Sequence, residues 1–213
     1  MRFDRLLDIV GDEPVFETSL LLAGDVKRGS VLRQLSRWMK AGRIYQLRRG
    51  LYALAPPFQK VKPHPFLVAN RLVQPSYVSL QSALAHHGLI PEYVPVTTSV
   101  TTERPGQRDT PLGRYTFRHI KTELFHGYRL AEVSAGQDAF VASPEKALLD
   151  LVHLQPGADS PAYLRGLRLQ NLEQLNVDRV QELARRARSP KLQRAADEVA
   201  ALARSDQEEY ETL

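Results

Sequence analysis

The stretch RGSVLRQLSRWMKAGRIYQLRRGLYAL, residues 28–54, sets a helix and a tight hairpin end to end. Val31, Leu32, Leu35, Trp38 and Met39 recur at three-and-four spacing, so residues from about Arg28 to Ala41 are expected to form a helix with one packed face. Gly42 supplies its stop. Ser30, Arg33, Gln34, Arg37 and Lys40 fall on the other side as a continuous polar stripe. Ile44-Tyr45-Gln46-Leu47 and Leu51-Tyr52-Ala53-Leu54 are rich in strand formers and are joined by Arg48-Arg49-Gly50. Gly50 suits the positive φ of the turn, and both arginines are expected to project from its tip.

On the N-terminal side of this stretch, Phe3, Leu6, Leu7 and Val10 carry helical spacing that ends at Gly11. Pro14-Val15-Phe16 reads as extended, and Thr18 or Ser19 opens a second helix through Leu20, Leu21 and Leu22 that stops at Gly24, near Asp25. Three helices closed by such a hairpin describe a winged helix-turn-helix over residues 1–55. Pro56, Pro57, Pro63 and Pro65, with Lys60 and Lys62 among them, mark a basic linker over 56–65.

Residues 66–213 read as a mixed α+β domain ending in helices, so the fold class is α+β. The patterns predict a helix over 66–73, a strand at Tyr77-Val78-Ser79 and a short helix through Leu84 to His87. Strands follow at 94–102, 114–120 and 128–133, with 106–113 as a polar loop. Ser143, Pro144 and Glu145 sit at the N-cap, first position and first turn of a helix whose apolar face (Ala147, Leu148, Leu149, Leu151, Val152) is expected at the centre of the core. Helical pattern resumes at Tyr163, with helices over 175–187, capped by Asn176 or Asp178, and from Ser189 to about Ala203. The acidic end, Asp206, Glu208, Glu209 and Glu211, is expected to fray.

Charge is segregated along the chain. Residues 1–91 hold 13 basic and 6 acidic side chains, and residues 92–213 hold 16 and 18, an excess of +7 against −2. Between Asp25 and Glu92 there are eleven Lys and Arg and no acid. Such a surface suits a polyanion, and double-stranded DNA is the expected partner because the basic stretch lacks the exposed aromatic face of a membrane-surface helix.

The same residues exclude other chemistries. Without cysteine there are no disulfides, thiolate metal sites or cysteine nucleophiles. Charged residues at Arg2, Asp4, Arg5 and Asp8 do not make a secretory signal, and no run approaches a membrane span, so a cytoplasmic protein is expected. The six histidines lack metal-ligand spacing, and neither a phosphate-binding glycine loop nor a nucleophile elbow is present. No catalytic residue, metal or cofactor is assigned.

On the basic module, Arg33, Gln34 and Arg37 are the candidates for reading base edges, since Arg pairs with guanine O6 and N7 and Gln with adenine N6 and N7. Lys27, Arg28, Ser30, Lys40 and Arg43 are the candidates for backbone phosphates. Arg48 and Arg49 form the candidate wing, on phosphates or in an adjoining minor groove. The alternative is a protein-binding module whose basic surface docks a partner without specific DNA readout.

Three motifs in order carry a resemblance: Gly42-Arg43-Ile44 leading to Arg48-Arg49-Gly50-Leu51-Tyr52-Ala53, then Tyr77-Val78-Ser79-Leu80-Gln81-Ser82-Ala83-Leu84 with His87-Gly88-Leu89, then Ser143-Pro144-Glu145-Lys146-Ala147-Leu148-Leu149-Asp150-Leu151. Over about residues 3–155 the chain resembles the AbiEi family of bacterial antitoxins from type IV toxin-antitoxin and abortive-infection systems. The resemblance implies a transcriptional repressor that binds repeats in its own promoter, with DNA on the face carrying Arg33, Gln34, Arg37, Lys40, Arg48 and Arg49; a dimer or two monomers would both suit such repeats. It also implies opposition to a nucleotidyltransferase-like toxin through the second domain. Residues 172–204, beyond the three motifs, are expected to serve self-association or a protein partner.

Overall fold

The computed structural model describes residues 1–23 and 26–211, residues 206–211 by their backbone alone. The chain is mixed α+β, with two sheets and a helical C-terminal end. It opens with α1 (Phe3–Val10), β1 (Phe16–Glu17), a 3-10 turn (Thr18–Leu22), α2 (Arg28–Lys40), β2 (Ile44–Arg48) and β3 (Leu51–Leu54). The strands form an antiparallel sheet in the order β1-β3-β2, turning at Gly50 with φ +84°. The expected second helix is only the 3-10 turn, and its stop at Gly24 and Asp25 lies outside the described residues. Its three consecutive leucines do not share one face, and only Leu21 is fully buried.

Phe3, Leu6, Val31, Leu35, Trp38 and Ile44 close the core between α1, α2 and the sheet. The Phe3 ring meets Trp38 edge-on at 5.5 Å and Phe58 at 4.9 Å. Leu32, expected in the packed stripe of α2, is instead 43% exposed.

Strand β3 has no wet face. Tyr52 and Leu54 turn into the helical core, while Leu51 and Ala53 join Leu47 and Val15 on the opposite side. There they meet Val68, Ala69 and Leu72 of α3 (Pro65–Leu72), together with Val78, Tyr115 and Phe117 of the second sheet. Residues 55–64 bridge the two sheets irregularly, with Lys60 3.3 Å from Asp12 and the His64 amide donating to Gln137 Oε1 at 2.7 Å.

The second sheet contains β4 (Ser76–Val78), β5 (Thr97–Thr101), β6 (Gly106–Thr110), β7 (Gly113–His119), β8 (Tyr128–Ser134) and β9 (Gln137–Ala142), ordered β6-β7-β5-β4-β9-β8. Pairs β4–β9 and β5–β7 run parallel, the others antiparallel. Strand β6 replaces the polar loop expected at 106–113. Gln107, Arg108 and Asp109 are all exposed, so this edge strand has no buried face and is held by pairing with β7.

Around this sheet lie α4 (Leu80–His86), α5 (Pro144–Leu154), α6 (Pro161–Gly166), α7 (Val177–Arg186) and α8 (Pro190–Glu211). Helix α5 is central: every residue from Glu145 to Val152 is buried. Ser143 Oγ accepts from the Lys146 amide at 3.3 Å, and Asn176 caps α7 by accepting from the Arg179 amide at 2.9 Å. Val180, Leu183, Leu192, Ala196 and Val199 pack into the core that α5 shares, so the apolar stripe of residues 172–204 is spent within the chain. The backbone of α8 stays helical through Glu211, beyond the expected end near Ala203.

Because the two sheets share one apolar cluster, they are expected to unfold together. Leu51→Ala should cost about 2–5 kcal/mol and move the urea midpoints of Trp38 fluorescence and far-UV circular dichroism equally. A shift in the fluorescence transition alone would contradict the shared core.

Candidate nucleic-acid interface

Helix α2 turns by about 100° per residue. With Val31, Leu35 and Trp38 inward, Arg33, Arg37 and Lys40 lie on the opposite side and are exposed. Ser36, which the polar stripe had not included, lies among them and is half-buried. Its signal was positional: it sits three residues after Arg33 and four before Lys40. Gln34 and Ser30 occupy one flank and are half-buried, and Arg33 Nη2 donates to Ser30 Oγ at 3.2 Å.

The N-terminus of α2 has no side-chain cap and no acid in its first turn. Exposed Lys27 and Arg28 stand at this end, where the helix dipole is already positive. Cations there repel the dipole until an anion arrives; the Ser30 and Val31 amides already donate to the Lys27 carbonyl, at 2.9 and 3.3 Å, so the Lys27 and Arg28 charges and the Ser30 hydroxyl are the groups that would meet it. Arg37 and Lys40 in the last turn are favourably placed against the dipole. Arg43 is exposed, its guanidinium 4.8 Å above the Phe3 ring.

The hairpin presents one arginine, not two. Arg49 is exposed at the turn, whereas Arg48 folds back toward α3. Arg48 Nε donates to the Arg71 carbonyl at 2.9 Å, its Nη1 donates to the Arg49 carbonyl at 3.2 Å, and its Nη2 lies 3.6 Å from Glu17 Oε1. A register shift between Gln46 and Arg48 puts a bulge in β2, which re-aims the side chain. Of the eleven basic side chains between Asp25 and Glu92, only Arg48 and Lys60 reach a carboxylate among the described residues.

A second polar group lies deep in the larger unit. Asp150 Oδ2 accepts from the Tyr77 hydroxyl at 2.9 Å and from the Ser79 hydroxyl at 2.8 Å, and Lys146 Nζ pairs with Asp150 Oδ1. All four residues are buried. Burial first, and then the Asp150 carboxylate, push the Tyr77 phenol far above its usual pKa and hold it protonated. Gly127, at φ +77°, leaves room for the Lys146 stem, which a Cβ there would meet at 3.1 Å. The sequence signal was the i, i+4 spacing of Lys146 and Asp150 on an otherwise apolar helix. Glu145, read there as a first-turn charge, also accepts from the Asn176 amide at 3.1 Å and ties α5 to the start of α7.

Among the described residues, no three His, Asp or Glu side chains gather to hold a metal ion, and no helix is long and apolar enough to cross a membrane. No protein-family model and no curated protein matches this chain.

Two outcomes follow from the buried polar groups. Lys146→Met leaves the Asp150 carboxylate without its cation and should cost about 3–5 kcal/mol in chemical denaturation; a cost below about 1 kcal/mol would show that the two hydroxyls suffice. Burial also lowers the pKa values of His64, His86, His126 and His153. The unfolded chain then takes up protons near pH 6.5 that the folded chain refuses, so stability is full above about pH 6.5 and falls as pH drops below it. His64 Nδ1 accepts from the Phe66 amide at 3.2 Å as the cap of α3, a role open only to the neutral ring. His64→Asn keeps a capping acceptor and should flatten this loss in melting curves from pH 7.5 to 5; an unchanged slope would exclude His64 as a contributor.

Proposed function

We propose that this protein is a sequence-specific double-stranded DNA-binding repressor whose first unit works as a winged helix-turn-helix. In this reading α1, the 3-10 turn and α2 stand for the three helices, and the β2–β3 hairpin is the wing. The observation that carries it is the outward face of α2, where Arg33, Arg37 and Lys40 stand exposed with no carboxylate partner among the described residues. Arg33 and Arg37 are assigned to base edges, with Gln34 reaching from one flank and Ser36 beside Arg33 on the other. Lys27, Arg28, Ser30, Lys40 and Arg43 hold phosphates, and Arg49 alone serves the wing. Arg48 is assigned to the junction between the units.

The motif resemblance supports a further step, that the protein is a cytoplasmic bacterial antitoxin of the AbiEi kind, autoregulating its operon and opposing a nucleotidyltransferase-like toxin through the second unit. Action by binding rather than catalysis fits the buried Asp150 cluster. Its carboxylate oxygens are all engaged, and the void beside it is about 10 Å³, roughly one water.

Nuclease protection of the DNA upstream of the protein's own gene tests the assignment. Specific protection should vanish in the Arg33→Ala/Arg37→Ala double variant. Arg49→Ala should weaken binding to every duplex, while Arg48→Ala should lower the melting temperature more than the affinity. With about six phosphates engaged, affinity should fall by about three decades between about 50 and 200 mM salt. Equal, weak binding to any duplex, unchanged by the double variant, would reduce the interface to phosphate attraction.

A further inference from the structure

A cleft of about 500 Å³ opens where the first unit meets the second sheet. Its origin is a splay between two strands. β4 and β9 pair only at Val78 and Val141, and before that point Asn70 fills the gap. Its Nδ2 donates to the Ser76 carbonyl at 3.3 Å, and its Oδ1 accepts from the Phe140 amide at 2.6 Å.

One wall of the cleft is aromatic. Tyr128 meets Phe125 edge-on at 5.2 Å and Phe140 at 5.7 Å. Leu130 pairs across the strands with Phe140, and the two are 56% and 43% exposed, a cost that an apolar occupant removes. Arg71 of α3 also lines the cleft, with Glu13, Pro14 and Val15 from the first unit. The Arg71 side chain is half-buried and forms no ion pair among the described residues, and its Nε is buried without an acceptor. A guanidinium in that state lacks the planar anion its fork is shaped to bind.

We propose that this cleft binds a small aromatic carboxylate, its ring against Phe140 and Tyr128 and its carboxylate on the Arg71 guanidinium. The volume is that of a small-molecule site. Glu13 and Asp138 also line the cleft, so its charge favours a monoanion over a phosphorylated ligand. The Arg71 carbonyl holds Arg48, and Val15 leads directly into β1, so the occupant sits beside the hairpin anchor. Any effect on DNA affinity rests on the repressor reading above; the binding site does not.

Calorimetric titration of the whole protein, without DNA, with 2-naphthoate and its neutral isostere 2-naphthamide tests the site, with saturation-transfer NMR detecting weak binding. The acid should bind at one site per chain, about tenfold or more tighter than the amide. Arg71→Met should remove that preference and keep the weak apolar binding, whereas Leu130→Asp should abolish both, each variant melting cooperatively. No binding of either compound at millimolar concentration, equal affinities, or a preference that survives Arg71→Met would overturn the proposal. Because DNA is absent, failure here and failure of the repressor reading are separate results.

Discussion

Leu51, Tyr52, Ala53 and Leu54 are all buried because β3 is covered from both sides, by α1 and α2 on one face and by α3 and the larger sheet on the other. A strand in that position cannot be uncovered cheaply, since swinging the first unit away returns Leu47, Leu51 and Val15 to water together with their partners. The hairpin is therefore fastened along one side. Its bulge draws Arg48 into the junction, while Arg49, one residue further, stays in solvent. No residue of α2 joins the shared cluster, so its basic face is not consumed by the contact that fixes the unit in place.

The two units treat charge in opposite ways. In the larger one, Lys146 and Asp150 are withdrawn from water and compensated by each other and by two hydroxyls, an arrangement that ties α5 to β4 and the residue after it. Around α2, Lys27, Arg28, Arg33, Arg37 and Lys40 stand exposed and form no ion pair among the described residues. Paired buried charge costs desolvation and holds geometry, whereas clustered exposed charge costs repulsion that an arriving polyanion relieves. That contrast is the physical ground for the proposal that nucleic acid meets the first unit.

Much of this was legible in the sequence because period and punctuation agreed. The α2 stripe with Gly42, the hairpin around Gly50 and the Ser143-Pro144 start of α5 each combine a hydrophobic period with a local stop or cap, and each element stands where those signals put it. Strand β6 was hidden because Gln107, Arg108 and Asp109 bury nothing. Leu32 has the spacing of a core residue yet is exposed, because spacing alone does not tell the edge of an apolar stripe from its centre. At the candidate interface the exposed arginines of α2 were visible, but the retreat of Arg48 depends on a bulge and on a carbonyl 23 residues away, which no local pattern encodes. The unalternated run Leu51–Leu54 did carry a signal for a strand covered on both faces, and with it for contact between the units.

Hydrogen exchange of the whole protein, with and without its own upstream DNA, would locate the face that meets the duplex. New protection is expected over residues 28–40 and at the turn around Arg49, with α7 and the start of α8 unchanged. Protection confined to the larger unit, or none at α2 while DNA is bound, would contradict the proposed interface.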